Sequence, residues 1–297
     1  MEIKNFNDAD FDKVFTLLNK NLAYDSISEN LLREKIYDDP RFDPELTLLS
    51  WHDDILSGFM FGLTQGEKGY IKLMAVEKQY RQKGIAKKLY TILEKSFKKH
   101  GIKSVRFYSV PNNYFMPGID PRYTAAVCFA ESMGFEHITQ LDTTNMVVSL
   151  NSQDFNTEQI ESDWRKKDIT FKRADYNDQN AVREFMRKYF PVWEAEVKNT
   201  FNSLPISIHL ALKDEKIVAF SAHNANNFGT GWFGPMGTIE EYRGQGLGAV
   251  LLKRCLQDIK EWELNEAIIP WVRPIRFYAR EVNAVIDRVF WQFEKAL

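Results

Sequence analysis

One internal repeat limits what this chain can fold into more than any other feature. The stretch Tyr80-Arg81-Gln82-Lys83-Gly84-Ile85-Ala86 returns as Tyr242-Arg243-Gly244-Gln245-Gly246-Leu247-Gly248, with Arg243 lying 162 residues after Arg81. The offset persists beyond the motif. Ile85, Leu89, Leu93 and Phe97 fall opposite Leu247, Leu251, Cys255 and Ile259, apolar positions four apart that mark one face of a helix. Each helix follows an apolar strand-like run, Ile71–Val76 in one half and Trp232–Thr238 in the other. Upstream, each half holds two strand-like runs around a polar turn. These are Leu46–Trp51 and Ile55–Phe61 about His52-Asp53-Asp54, and Ile206–Leu212 and Lys216–Phe220 about Lys213-Asp214-Glu215. A period this long is not that of a solenoid, so a whole domain has been duplicated.

Strands mixed with helices at this spacing predict an α/β protein rather than a β-sandwich. The polar stretch beginning Asn151-Ser152-Gln153-Asp154 is poor in β-branched residues. It predicts a linker over 151–168, between a first domain over 1–150 and a second over 169–297. The 297 residues suffice for two domains. Thirty-nine basic against forty-one acidic side chains is too even a balance for a protein that neutralises nucleic-acid phosphates, so no nucleic-acid partner is expected. No apolar run approaches a membrane span, and the acidic start lacks the order of a secretory signal. Cys128 and Cys255 can build neither a disulfide framework nor a four-thiolate zinc site and fit a reducing, cytoplasmic setting. The five histidines are scattered without metal-ligand spacing, so no metal is expected. His209 reads as a hydrogen-bonded strand residue and Cys255 as core.

The repeated motif has a physical purpose at a strand-to-helix junction. The first helical turn offers backbone N–H groups without intrahelical partners, and the macrodipole adds partial positive charge. Glycine lets that backbone come close to an anion, and the arginine adds charge. The combination makes a diphosphate cradle. Glycines that merely cap turns are the plainer explanation, which two copies in the same context weaken. Lys83, Lys87 and Lys88 make the first mouth the more cationic; Ala249 and Val250 follow the second motif.

These residues resemble the Arg/Gln-x-x-Gly-x-Gly/Ala signature of the GNAT acyltransferase superfamily. The run from Met236 to Gly248 and the helix-ending Cys128–Phe135 are similar to that family's segments, and the resemblance covers both halves. It implies two tandem GNAT-like domains, each a mixed, mostly antiparallel sheet flanked by helices. It also implies acetyl-coenzyme A as donor, held by Arg81, Gln82, Lys83, Gly84, Ile85 and Ala86 and by Arg243, Gly244, Gln245, Gly246, Leu247 and Gly248. Strand-end backbone at Ala75 and Val76, and at Gly237 and Thr238, would hold the thioester and pantetheine. The implied activity is N-acetylation of a small-molecule amine.

The family commonly places a tyrosine on the helix after strand five as the acid for the leaving thiolate. Tyr278 stands in that context, one residue further than usual from Asn283, where the family has Gly. The matching first-half position reads as Ala130, which has no proton to give, with Tyr123 nearby but outside any motif. Chemistry is therefore expected in the second half. A coenzyme A-binding regulator or scaffold with one or both sites decayed is the alternative. Glu77, Glu240 and Glu241 read as solvated turn carboxylates. The acceptor walls are expected at Tyr24–Phe42 and Tyr189–Glu196, with the two-proline loop 112–123 beside the first.

Overall fold

The computed structural model describes residues 1–297. The chain divides into one unit formed by 1–143 with 289–297 and a second formed by 144–288. The first unit carries β1 (Glu2–Asn5), α1 (Phe11–Asn21), α2 (Glu29–Ile36), β2 (Thr47–His52), β3 (Ile55–Gln65), β4 (Lys68–Val76), α3 (Ile85–Lys99), β5 (Ser104–Phe107), α4 (Thr124–Ser132) and β6 (Glu136–His137). The second carries β7 (Thr143–Ser149), α5 (Glu158–Arg165), β8 (Ile169–Arg173), α6 (Gln179–Tyr189), α7 (Glu194–Asn199), β9 (Ile208–Lys213), β10 (Lys216–His223), β11 (Phe233–Thr238), α8 (Leu247–Lys260), β12 (Glu266–Val272), α9 (Ile275–Val282) and β13 (Val285–Phe290). A last strand, β14 (Phe293–Ala296), returns to the first unit.

Seven strands form the first sheet in the order β1-β2-β3-β4-β5-β14-β6, antiparallel except for the parallel β4–β5 pair. The second unit has a four-stranded sheet, β11-β10-β9-β8, and a three-stranded one, β12-β7-β13. The mixed, mostly antiparallel α/β architecture is as expected. Each motif helix buries the face its apolar spacing implied. Leu89, Leu93 and Phe97 are wholly inaccessible, as are Leu251, Cys255 and Ile259.

The division of the chain differs from the expected boundaries at 150 and 168. Residues 151–168 are no exposed linker: they contain α5, and Phe155 and Trp164 reach the second unit's apolar cores. Two aromatic anchors override the polar composition that suggested a linker. Strand β7, which falls inside the expected first domain, pairs with β12 of the second unit through Val148–Ala267 and its neighbours. Strand β14, which falls inside the expected second domain, lies in the first sheet, where it pairs with β5 from Phe293–Phe107 to Ala296–Ser104. Nothing local could reveal this, because strand pairing is non-local and either segment alternates suitably for either sheet. Phe290 and Phe293 are buried, and Glu294 accepts from Ser104 at 2.7 Å, Arg106 at 2.9 Å and Lys68 at 3.1 Å.

A buried polar cluster braces the second unit. Asp258 of α8 takes both guanidinium nitrogens of Arg173 at 2.7 Å, His209 Nε2 at 2.7 Å and His223 Nε2 at 2.9 Å. His209 thus has the hydrogen-bonded strand role expected of it. Burial pushes the His209 imidazole below its ordinary value, against the pull of Asp258. Burial alone would raise the Asp258 carboxyl, but its histidine and arginine partners hold it far below the usual carboxylate range.

Two outcomes follow. Phe293→Ala, which leaves a cavity under β14, should cost about 3–5 kcal/mol in denaturant unfolding, and a chain ending at residue 150 should show no cooperative transition. The second outcome concerns pH. His209 is held neutral in the fold and protonates more readily when unfolded, so its contribution is present above about pH 6.5 and is lost as the pH falls below it. Asp258 adds a loss below about pH 4. The thermal midpoint of the second unit should fall from pH 7 to 5 and more steeply below 4; a flat profile would contradict this account.

Candidate functional site

The two motifs fold alike. Gly84 caps α3 at φ 78° and Gly246 caps α8 at φ 95°, left-handed values that an L side chain rarely adopts. Neither cap has a side-chain acceptor, so first-turn amides face outward beneath exposed glycines. No atom lies within 4 Å of where a Cβ would stand on either residue. Backbone conformation, not crowding, therefore requires glycine here. Gln82 and Gly244 at the matching motif position are also left-handed, at φ 62° and 74°.

The arginines do something their charge alone did not suggest. Arg81 Nε donates to the Val76 carbonyl at 3.0 Å, and Arg243 Nε donates to the Thr238 carbonyl at 3.1 Å. Each latches its loop to the end of the preceding strand. Arg81 also reaches Asn21 Oδ1 at 3.0 Å, and Asn21 in turn approaches Glu77 at 3.5 Å. Glu77 is not a solvated turn carboxylate: it is buried and pairs with Lys20 at 3.1 Å. Folding α1 against the strand end encloses it. Glu240 and Glu241 are exposed, as expected.

The strands before both motifs part from their neighbours. The β4–β5 ladder ends at Ile71–Phe107, followed by the Tyr108 N–H to Ile71 carbonyl bond at 2.8 Å. Residues 72–76, including Ala75 and Val76, run on without a β5 partner. In the second unit a single bridge, Trp232–Ile268, precedes β11, which is an edge strand of its sheet. Gly237 and Thr238 are half-buried there. Such a fork leaves backbone donors and acceptors open to an extended ligand.

In the first unit the fork opens into a cavity of about 510 Å³, within the usual range for ligand pockets. Its walls include Met74–Val76, Arg81, Gln82 and Gly84–Lys87 of the motif, Tyr24, Tyr108, Tyr123 and Phe129. Among the expected cradle residues, Ala75, Val76, Arg81, Gln82, Gly84, Ile85 and Ala86 come together on this wall, and Lys83 leans over the Tyr80 ring at 5.1 Å. In the second unit Leu247 is buried, while Arg243, Gly244, Gln245 and Gly246 are exposed at the start of α8. Gly248 is crowded: a Cβ would stand 3.0 Å from Met236 Cε. At Gly237 it would stand 2.7 Å from the Phe190 ring, which stacks on Trp193 with centroids 5.8 Å apart. The aromatic acceptor wall expected at Tyr189–Glu196 thus reaches this strand end.

Tyr278 sits on α9, 8% exposed, edge-on to Phe233 at 6.1 Å. Burial pushes its hydroxyl up to about 12, so it stays protonated through neutral pH. In the first unit Ala130 stands four residues before the left-handed Gly134, at φ 78°, while Tyr278 stands five before the left-handed Asn283, at φ 49°, and Phe129 occupies the fifth position before Gly134. Neither position in the first unit carries a hydroxyl.

His209, His223 and Asp258 place three possible ligand atoms within 4.8 Å of one another. Their chemistry does not fit a cation. Arg254 Nε can only donate, and it donates to His209 Nδ1 at 3.1 Å. His209 Nε2 therefore carries the proton that Asp258 accepts, and Arg173 already neutralises that carboxylate. Sequence spacing alone missed this cluster, because its members come from three strands and a helix.

Comparison with known proteins supports this geometry. The acetyltransferase (GNAT) family model matches residues 12–116 and 173–282. Among curated proteins no sequence matches the chain. Similar solved structures include a GCN5-related glucosamine N-acetyltransferase region of a fungal multi-domain GH3 β-N-acetylglucosaminidase. It has TM-score 0.81 and 16% identity over 99% of this chain, which spans 38% of that one. A GCN5-related N-acetyltransferase from Sphaerobacter thermophilus has TM-score 0.72 and 17% identity, covering 99% of this chain and 95% of its own. A tandem GNAT protein from the clavulanic acid biosynthesis pathway has TM-score 0.69 and 14% identity, covering 99% and 98%. At such identities the likeness is one of fold. With the family model matched once in each half, each match spanning one copy of the strand–motif–helix junction, the chain belongs to the acetyltransferase (GNAT) family.

Proposed function

We propose that this protein transfers the acetyl group of acetyl-CoA to the amine of a small-molecule acceptor, with the chemistry in the second unit. The observation that carries the reading is the pair of forks, each ending at an uncapped helix start entered through a left-handed glycine. A diphosphate suits those amides, and an extended pantetheine suits the unpaired strand edge at Ala75–Val76 and at Gly237–Thr238. The carbonyl latches of Arg81 and Arg243 hold the loops in the shape the anion needs. In the second unit Tyr278, protonated at working pH, is the proton source for the departing thiolate. The two cysteines, both unpaired, accord with a cytoplasmic location.

A coenzyme A-binding regulator is the second reading. It draws on Phe129 and Ala130, which leave the first unit's helix without a hydroxyl where Tyr278 stands in the second. Turnover separates the two readings.

Gly84→Asp and Gly246→Asp test the cradles. Aspartate tolerates the left-handed backbone better than most residues, nothing crowds either position, and a carboxylate there repels diphosphate. Each substitution should weaken acetyl-CoA binding in its own unit by about 100-fold, or about 2.7 kcal/mol, in calorimetric titration with little change in thermal midpoint. Unchanged affinity and stoichiometry in both variants would sink the donor assignment. Tyr278→Phe should lower kcat at least about tenfold while donor affinity holds. Undiminished kcat would remove Tyr278 from the mechanism.

A further inference from the structure

The first unit's cavity contains a pair of side chains that the reading above leaves unused. Tyr123, on the cavity wall just before α4, donates its hydroxyl proton to Asp25 Oδ2 at 2.6 Å and accepts from the Tyr24 N–H at 3.0 Å. Asp25 lies in the connection between α1 and α2, 98 residues away, and is only partly buried. The ring of Tyr24 meets that of Tyr123 edge-on at 5.1 Å. A phenol is thus fixed by three groups on the wall of a cavity that also contains the motif.

The backbone beside it is strained. Tyr108 and Ser109 both adopt left-handed conformations, at φ 58° and 46°, and neither is glycine. Such conformations are costly for residues other than glycine and are usually met where a side chain must be aimed. Here the bend after β5 brings Tyr108 onto the same wall. Burial, helped by the negative charge of Asp25, pushes the Tyr108 hydroxyl well above its ordinary range. The other charged groups nearby are Arg122, whose guanidinium lies 4.6 Å from the Tyr24 ring, and the buried Asp120 that pairs with it at 2.7 Å.

We propose that the first unit is a second acetyl-transfer centre, in which Tyr123 relays the acceptor nitrogen's proton to Asp25. The proposal rests on acetyl-CoA occupying the first cradle, and it assigns to this unit the base that its α4 helix does not supply. The cationic acceptor first gives one proton to the Tyr123 oxygen as that oxygen gives its own to Asp25, which passes it to water. The neutral nitrogen then attacks the thioester carbon, so an N–C bond forms and the C–S bond breaks with its electron pair on sulfur, and the nitrogen's second surplus proton leaves by the same relay. Asp25, open in part to water, releases the proton to solvent, from which the thiolate recovers one. The acceptor implied is an amine that arrives as a cation, drawn by the carboxylate and the aromatic faces of Tyr24 and Tyr123.

Thiol release from acetyl-CoA, with glucosamine, spermidine and tyramine as acceptor probes, tests this in four full-length proteins: wild type, Tyr278→Phe, Tyr123→Phe and the double variant. Each single variant should retain part of the turnover, and the double should lose at least 100-fold. In the Tyr278→Phe background, Asp25→Asn should keep the KM for acetyl-CoA and lower kcat about tenfold, and Asp25→Glu should restore part of that kcat. A purely structural Asp25 would instead change KM and the thermal midpoint together with kcat. Complete loss in Tyr278→Phe alone overturns the second centre and leaves the second-unit chemistry standing. Complete loss in Tyr123→Phe alone does the reverse for the Tyr278 assignment. Absence of thiol release from wild type with every probe counts against both.

Discussion

Backbone polar groups that secondary structure leaves unpaired are the resource from which both candidate sites are made. A strand that parts from its parallel neighbour exposes one row of N–H and C=O groups, and a helix start exposes several more N–H groups. In this chain the two are joined by a loop of eight residues in each unit, 77–84 and 239–246, so the exposed groups of strand and helix lie along one path. What must be guaranteed is the angle of the turn. The left-handed glycines at 84 and 246 supply it, and the arginine latches to Val76 and Thr238 keep it. Side chains contribute shape and protons around this frame but do not create it. The same strand-to-helix frame can therefore be copied whole while the proton-handling residues beside it diverge.

That divergence has a physical logic in each unit. In the second, Tyr278 lies among apolar neighbours that raise its hydroxyl and keep it a proton donor. In the first, the α4 helix presents Phe129 and Ala130, and the polar chemistry instead comes from the loop ahead of that helix. Tyr123 reaches across to Asp25, and the strained pair Tyr108–Ser109 turns toward them. A helix position gives a buried, solitary hydroxyl; a loop position gives one already committed to a carboxylate. The first arrangement suits protonating a leaving group, the second suits collecting a proton from a nucleophile.

The amino-acid sequence makes the local parts of this legible and the non-local parts not. Apolar residues four apart predict α3 and α8, and every one of them is buried to 2% exposure or less. The hairpins around His52-Asp53-Asp54 and Lys213-Asp214-Glu215 are announced by their turns, where Asp53, Asp214 and Glu215 adopt left-handed backbone. The exchange of β7 and β14 leaves no such trace, since a strand's alternation does not name its sheet. Glu77 illustrates a second kind of blindness. Its place after a strand reads as solvent-facing until α1 folds over it, bringing Lys20 and Asn21. The Asp258 cluster and the Tyr123–Asp25 pair fall in the same class, because the side chains bonded to Asp258 and the two members of the pair are separated by between 35 and 98 residues of chain.

The strand exchange bears on how the duplication can vary. Because β14 supplies part of the first sheet and its salt links to Lys68, Arg106 and Glu94, that sheet is completed only after the second unit's chain has been made. Conversely, β7 stands at the centre of the second unit's three-stranded sheet, although it precedes that unit's own repeat. Neither half can be lost or replaced without leaving a neighbour with an open sheet edge, which invites aggregation. Ser104, Arg106 and Lys68 hold the Glu294 carboxyl down to about 2 despite the opposing effect of burial, so the strand stays charged and tethered across the physiological range. Structural interdependence of this kind keeps both copies of the frame in the protein whether or not both retain chemistry. A second cradle can therefore drift toward a different acceptor or a different proton path without loss of the fold. The unequal hydroxyls of the two units are the form that such drift takes here.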